Sequence, residues 1–186
     1  MAEGRDWTRS QFEACPDCGA DAASMADAAI GPEVIRDVAR WGRLMAAADP
    51  HGVRIRPRDD VWSALEYACH VRDLLPVMTG RVERMLAAAA TGTQADLGWW
   101  DHEAAVIDDR YAEQVPVLVI EAMHDNARAF AAVLDRVDTA EGDAWELAAE
   151  RRPGEHFTVR GIARFVLHEV IHHRDDAARS LKGVSS

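Results

Sequence analysis

Apolar side chains recur every three or four residues along most of this chain, and that spacing predicts amphipathic helices. The first stripe, Val34, Ile35, Val38, Trp41, Leu44 and Met45, predicts a helix that starts at Pro32, whose fixed φ suits a first turn, and stops at Asp49-Pro50-His51-Gly52. A second helix is expected from Val61 to about Ala90, capped by Asp59 or Asp60, with a bend at Pro76 and a stop at Thr91-Gly92-Thr93. One of its faces carries Trp62, Glu66, His70, Asp73 and Val77; the adjoining face carries Val61, Leu65, Ala68, Leu75 and Val82. Pro116 opens a third helix with the stripe Ile120, Met123, Ala127, Phe130 and Leu134. A fourth, capped by Thr158, continues to Lys182-Gly183. Residues 94–114 read as a long connection, and the segment Asp143 to Glu150 as a short packing element before the turn Arg152-Pro153-Gly154-Glu155. The expected architecture is therefore all-α: a four-helix bundle over residues 31–183, preceded by an irregular tail over residues 1–30.

Composition narrows the function classes. The chain has 186 residues, 48 % of them hydrophobic, which is enough for one domain with a true core. A net charge of −11 argues against nucleic acid or an anionic membrane as partner, because both are read first through Lys and Arg. No run of 18 apolar residues exists, so no transmembrane span is expected. Met1-Ala-Glu-Gly-Arg-Asp lacks the basic start and apolar stretch of a signal peptide, so a cytoplasmic protein is expected. Three cysteines, Cys15, Cys18 and Cys69, do not make a disulfide scaffold.

The chemistry concentrates on the fourth helix, in Phe165-Val166-Leu167-His168-Glu169-Val170-Ile171-His172-His173. His168 and His172 lie four apart on one face, where both imidazoles reach one metal ion. A bundle brings His70 of the second helix beside them, so His70, His168 and His172 are the expected ligands of a divalent ion, Zn or Ni by donor type, with positions left open for water or substrate. Glu169 points about 100° from His168 on the helix and is placed to orient a ligand rather than to act as base. Glu66, one turn before His70, is a supporting carboxylate on the other side. Trp62 shares the His70 face, and Trp100, Asp101 and His102 either line the mouth of a pocket or, in the blander reading, plug the end of the core.

Two other patterns compete. His168-Glu169-Val-Ile-His172 spells H-E-x-x-H, the zinc-peptidase signature with Glu169 as general base. Only 14 residues follow His172 and none supplies the usual downstream ligand, so a peptidase is the weaker alternative. Cys15-Pro16-Asp17-Cys18-Gly19 has the form of half a zinc knuckle or a redox pair, or else is a flexible tail with two free thiols. No second C-x-x-C completes a knuckle.

The segments Trp62-Ser63-Ala64-Leu65-Glu66-Tyr67-Ala68-Cys69-His70-Val71-Arg72-Asp73 and Phe157 to His173 together resemble the DinB/YfiT-like superfamily, which is distinct from the DNA polymerases that share the name. The resemblance covers roughly residues 32–182 and implies a four-helix bundle with a three-histidine metal site, often dimeric. Members with known activity are mainly thiol-dependent, namely mycothiol- or bacillithiol-linked S-transferases and a mycothiol-dependent maleylpyruvate isomerase. The Cys15-Pro-Asp-Cys-Gly head looks like an actinobacterial subgroup, whose hosts use mycothiol, and it departs from most of the superfamily. The resemblance thus implies a metal-dependent enzyme that activates a small thiol, mycothiol, against an electrophilic small molecule, with a possible homodimer; Glu169 and Glu66, by their places on the helices, are the candidate catalytic carboxylates. A non-catalytic metal-binding or thiol-based sensor is the alternative.

Overall fold

The computed structural model describes residues 7–140, 142–152 and 155–184. Five α-helices carry the fold: α1 (Asp27–Ala47), α2 (Ala64–Thr91), α3 (His102–Asp108), α4 (Pro116–Thr139) and α5 (Val159–Val184). The four long ones pack in a ring, with α1 against α4 and α5, and α2 against the same two neighbours. Trp41, Leu65, Leu75, Met123, Phe130, Ile162 and Leu167 fill the centre and are fully buried. The expected all-α bundle is the architecture observed. Among the described residues no helix is long and apolar enough to cross a membrane.

Three boundaries differ from the sequence reading for local reasons. α1 begins at Asp27, ahead of Pro32, because Ile30 already belongs to its buried stripe. The proline sits early enough to forfeit a single backbone bond. Gly31, beside it, lets the helix approach α4 closely: a Cβ there would stand 3.2 Å from the Ala131 backbone. α2 begins at Ala64, capped by Ser63 rather than by Asp59 or Asp60. Ser63 and Glu66 form a reciprocal capping box, in which the Glu66 backbone N–H donates to Ser63 Oγ and the Ser63 N–H donates to Glu66 Oε2 at 2.8 Å. The long connection is partly helical, since Asp101 accepts from the backbone N–H groups of Glu103 and Ala104 and starts α3.

A small antiparallel hairpin, β1 (Ala148–Arg152) and β2 (Glu155–Thr158), was not expected; Ala149 pairs with Phe157 and Glu150 with His156. Its strands are short and rich in Arg and Glu, so tertiary context and the Arg151–Glu155 ion pair stabilise them rather than strand propensity. The expected turn at Pro153-Gly154 lies outside the described residues, as does the Met1 to Asp6 start. Thr158 ends β2 and caps α5 by accepting from the Gly161 N–H at 2.9 Å.

The N-terminal segment is folded against α5. Two short 3-10 turns, Trp7–Gln11 and Ala22–Ser24, flank the cysteine loop, and Ser10, Gln11, Cys15 and Ala22 are buried. Gly161 makes room for it, because a Cβ there would collide with the Gln11 side chain. Arg164 donates to the Gln11 carbonyl, and Arg160 pairs with Asp27 at 2.9 Å.

Glu66, expected to support a metal ligand, is turned away from that task. Arg56 grips both of its oxygens, from Nη2 to Oε1 at 2.6 Å and from Nε to Oε2 at 2.8 Å, and the cap takes the rest. Burial raises the Glu66 carboxyl, but Arg56 and the Ser63 N–H outweigh it and hold it below 4.5. Such a group stabilises the fold at neutral pH and loses that contribution as pH falls through its depressed value. Glu66→Gln should therefore destabilise the protein by about 1–2 kcal/mol at pH 7, Arg56 being partly exposed and screened. The gap to wild type should close as pH drops below 4.5; urea titrations of both proteins across that range check this.

Candidate metal centres

Helix α5 runs through the core with both flanks covered, by α2 on one side and the N-terminal segment on the other. A helix turns about 100° per residue. The pair His168 and His172 therefore faces one flank, and the pair Glu169 and His173, each one residue later, faces the next. Two separate groups of metal-ligating side chains result among the described residues: His70 with Glu169 and His173, and Cys15 with Cys18, His168 and His172. In each group the donor atoms all lie within 4.8 Å of one another.

The first group joins α2 to α5. His173 Nε2 lies 3.3 Å from Glu169 Oε2, and His70 Nε2 lies 3.9 Å from the same oxygen, too far for a hydrogen bond. His70 Nδ1 is buried without a hydrogen-bond partner among the described residues. Burial holds the His70 imidazole down at about 4, so it is a neutral donor at pH 7. Burial also opposes a charge on His173, but the carboxylates of Asp176 and Glu169 outweigh it and raise that imidazole to about 9. Glu169 is held well below its ordinary value: burial works against the carboxylate, and His168, His173 and His70 overcome it. Aromatic rings wall the group. Trp100 stacks on His70 at 5.4 Å, Trp62 stands 5.5 Å from His70, His102 5.7 Å, and Tyr67 stacks on His173 at 5.4 Å. Two imidazoles and one carboxylate with converging donors suit a catalytic type of metal site, in which the protein supplies three ligands and leaves a position open.

The second group joins α5 to the cysteine loop. Cys15 Sγ lies 3.6 Å from His172 Nδ1. The loop closes on itself, with the Gly19 N–H donating to the Cys15 carbonyl at 2.8 Å and the Cys15 N–H to the Ala20 carbonyl at 2.9 Å. Gly19 adopts φ +70°, the left-handed region that favours glycine. Burial raises the Cys15 thiol, but hydrogen bonds from the Cys18 backbone and His168 bring it below its ordinary value. His168 is raised to about 10 against the pull of burial, by Cys18 and Glu169, whereas burial lowers His172 to about 4.

Carboxylates orient the imidazoles of both groups. Glu169 Oε1 lies 3.1 Å from His168 Nδ1, while its Oε2 faces His173 and His70. Asp176 Oδ2 lies 3.1 Å from His173 Nδ1 and 3.4 Å from His172 Nε2. A ring nitrogen that donates to a carboxylate fixes the tautomer and frees the other nitrogen as a ligand.

The expected trio of His70, His168 and His172 is thus divided between two flanks. His70 meets Glu169 and His173, because these are the α5 residues that turn toward α2. The sequence reading did not single out His173, although Glu169 and His173 are as much an i,i+4 pair as the two histidines beside them. Glu169 lies among the donor atoms of the first group, with His70 and His173. The two histidines of H-E-x-x-H face Cys15 and Cys18. Trp62, Trp100 and His102 each make a ring contact with His70. Asp101 instead caps α3, and Trp99 turns outward onto Arg151 and Arg152 of the hairpin.

The family model of the DinB superfamily matches residues 35–177, well over half of the chain. No curated protein and no solved structure matches it.

Because Asp176 touches one histidine of each group, Asp176→Asn should weaken metal binding by about 10–100-fold while leaving the helical content intact. Chelator competition beside circular dichroism measures both.

Proposed function

The chain belongs to the DinB superfamily, and on that premise we propose that it is a metal-dependent enzyme that joins a small thiol to an electrophilic small molecule at the site formed by His70, Glu169 and His173. The observation that carries this reading is the convergence of three donors, held by two different helices, inside a ring of Trp62, Tyr67, Trp100 and His102. A bound divalent ion of the Zn or Ni class supplies one thing, a thiol deprotonated at neutral pH in the open position.

The protein's own groups do the remainder. His70 is neutral and its ring is clamped between two tryptophans, so it offers a fixed donor with little reorganisation. Asp176 fixes the orientation of His173, and Glu169 adds the negative charge that a divalent ion needs when buried. Trp100 and Trp62 exclude water and give apolar faces to the carbon skeleton of the electrophile. The thiolate attacks the electrophilic carbon, forming the S–C bond; the electron pair moves to a leaving group or a conjugated oxygen, and the thiol proton passes to solvent. Mycothiol is the thiol of this reading, supported by the thiol-dependent activities that the superfamily resemblance implies. A cytoplasmic homodimer belongs to the same reading.

The sensor alternative places reversible thiol chemistry on Cys15 and Cys18. Their position against two histidines favours metal ligation over redox exchange.

With zinc or nickel loaded, the full chain should transfer mycothiol to an activated electrophile such as 1-chloro-2,4-dinitrobenzene or isomerise maleylpyruvate. His173→Ala should lower kcat/KM by about 100-fold or more. No turnover with mycothiol, bacillithiol or glutathione, or undiminished turnover in His173→Ala, overturns the proposal.

A further inference from the structure

The group formed by Cys15, Cys18, His168 and His172 has no part in the chemistry proposed above. We infer that it is a second, closed metal centre, a Cys2His2 zinc site that clamps the N-terminal segment onto α5. The inference stands whether or not the open site is catalytic.

Four features of the structure support it. The donor set is complete: two thiols and two imidazoles, which zinc takes in tetrahedral structural sites. The ligand spacings, C-x2-C and H-x3-H, are those of such sites, although the two halves come from opposite ends of the chain. Distances agree as well. A tetrahedral ion with bonds of about 2.3 Å to sulfur and about 2.05 Å to nitrogen holds those two atoms about 3.6 Å apart; Cys15 Sγ and His172 Nδ1 are 3.6 Å apart. The imidazoles are also aimed. Glu169 takes His168 Nδ1 and Asp176 takes His172 Nε2, so the opposite nitrogen of each ring is the one that faces the sulfurs.

The site differs from the His70 group in having four protein donors and hence no open position, and this assigns it to structure rather than turnover. Cys15 is buried and Cys18 half-buried in a loop that Gly19 turns back on itself, which directs both thiols to α5. The segment also packs on α5 through its two 3-10 turns, with Ser10, Gln11 and Ala22 buried and Arg164 donating to the Gln11 carbonyl, so the ion would add to contacts already in place.

The test is elemental analysis of the untagged full chain, wild type beside Cys15→Ser/Cys18→Ser and His70→Ala. Wild type should carry about two divalent ions per chain, at least one of them zinc. The double cysteine variant should lose one zinc, and His70→Ala should lose the other ion only, which separates this site from the open one. Wild-type protein reloaded with cobalt supplies a reading that does not depend on a variant folding: thiolate-to-cobalt charge-transfer absorption is expected in wild type and in His70→Ala. Iodoacetamide should modify Cys15 and Cys18 only after a chelator removes the zinc. Cys69, buried and with its thiol pushed up to about 12, serves as the unreactive internal control. Wild-type zinc content in the cysteine variant, absence of the cobalt–thiolate band, or isolation of a zinc-free Cys15–Cys18 disulfide overturns the inference.

Discussion

The constraint on which the structure depends is the angular step of an α-helix. Consecutive residues on α5 are offset by about 100°, so a doubled pattern, His168-Glu169 followed by His172-His173, sends one pair of donors to each of two flanks. This works only because both flanks are covered, by α2 on one side and by the cysteine loop on the other. α1 holds the helix from a third direction. Trp41, fully buried, donates its indole N–H to the Val170 carbonyl at 2.9 Å, in the middle of the ligand-bearing turns. Asp37, also buried, pairs with Arg174 one turn later. Translation or rotation of α5 would break these contacts.

The two groups share their supports. Glu169 gives one oxygen to His168 and turns the other toward His70 and His173, and Asp176 lies between His172 and His173. In a low-dielectric core such shared acceptors are strong, and they leave each imidazole one orientation. Three imidazoles, those of His168, His172 and His173, are therefore oriented by two carboxylates that lie two turns apart on the same helix. Glu66, the other carboxylate near His70 in sequence, is held by Arg56 and its cap and works on the start of α2 instead.

The bundle was legible because its helices carry regular apolar stripes; Pro116 and Thr158 sit where the third and fourth long helices begin, as read. The start of α2 was legible in principle, since Ser63-Ala-Leu-Glu66 is a capping-box pattern, but two preceding aspartates drew attention from it. The hairpin was not legible, because its strands hold Arg and Glu where β-branched residues would mark them. At the candidate site, the sequence pointed to α5, to His70 and to the aromatic residues near it, and it named three of the four imidazoles that the two groups contain. It assigned them to one ion, because spacing along a helix shows that two residues share a face but not what lies opposite that face. The pairing of C-x-x-C with H-x-x-x-H was the available signal, but the two motifs lie at opposite ends of the chain and no spacing along the sequence joins them.

The cysteine loop also bears on the topology of the chain. Cys15 and His172 are 157 residues apart in sequence yet in contact, so the polypeptide runs nearly the whole way round and returns to its beginning. Chain ends are ordinarily where a fold frays first. Here the opening segment and the final helix each cover the other's buried polar groups, so neither can peel away alone. The seam between the N-terminal segment and α5 is thus a closure made by side chains, and local opening there would expose buried polar groups of both partners at once.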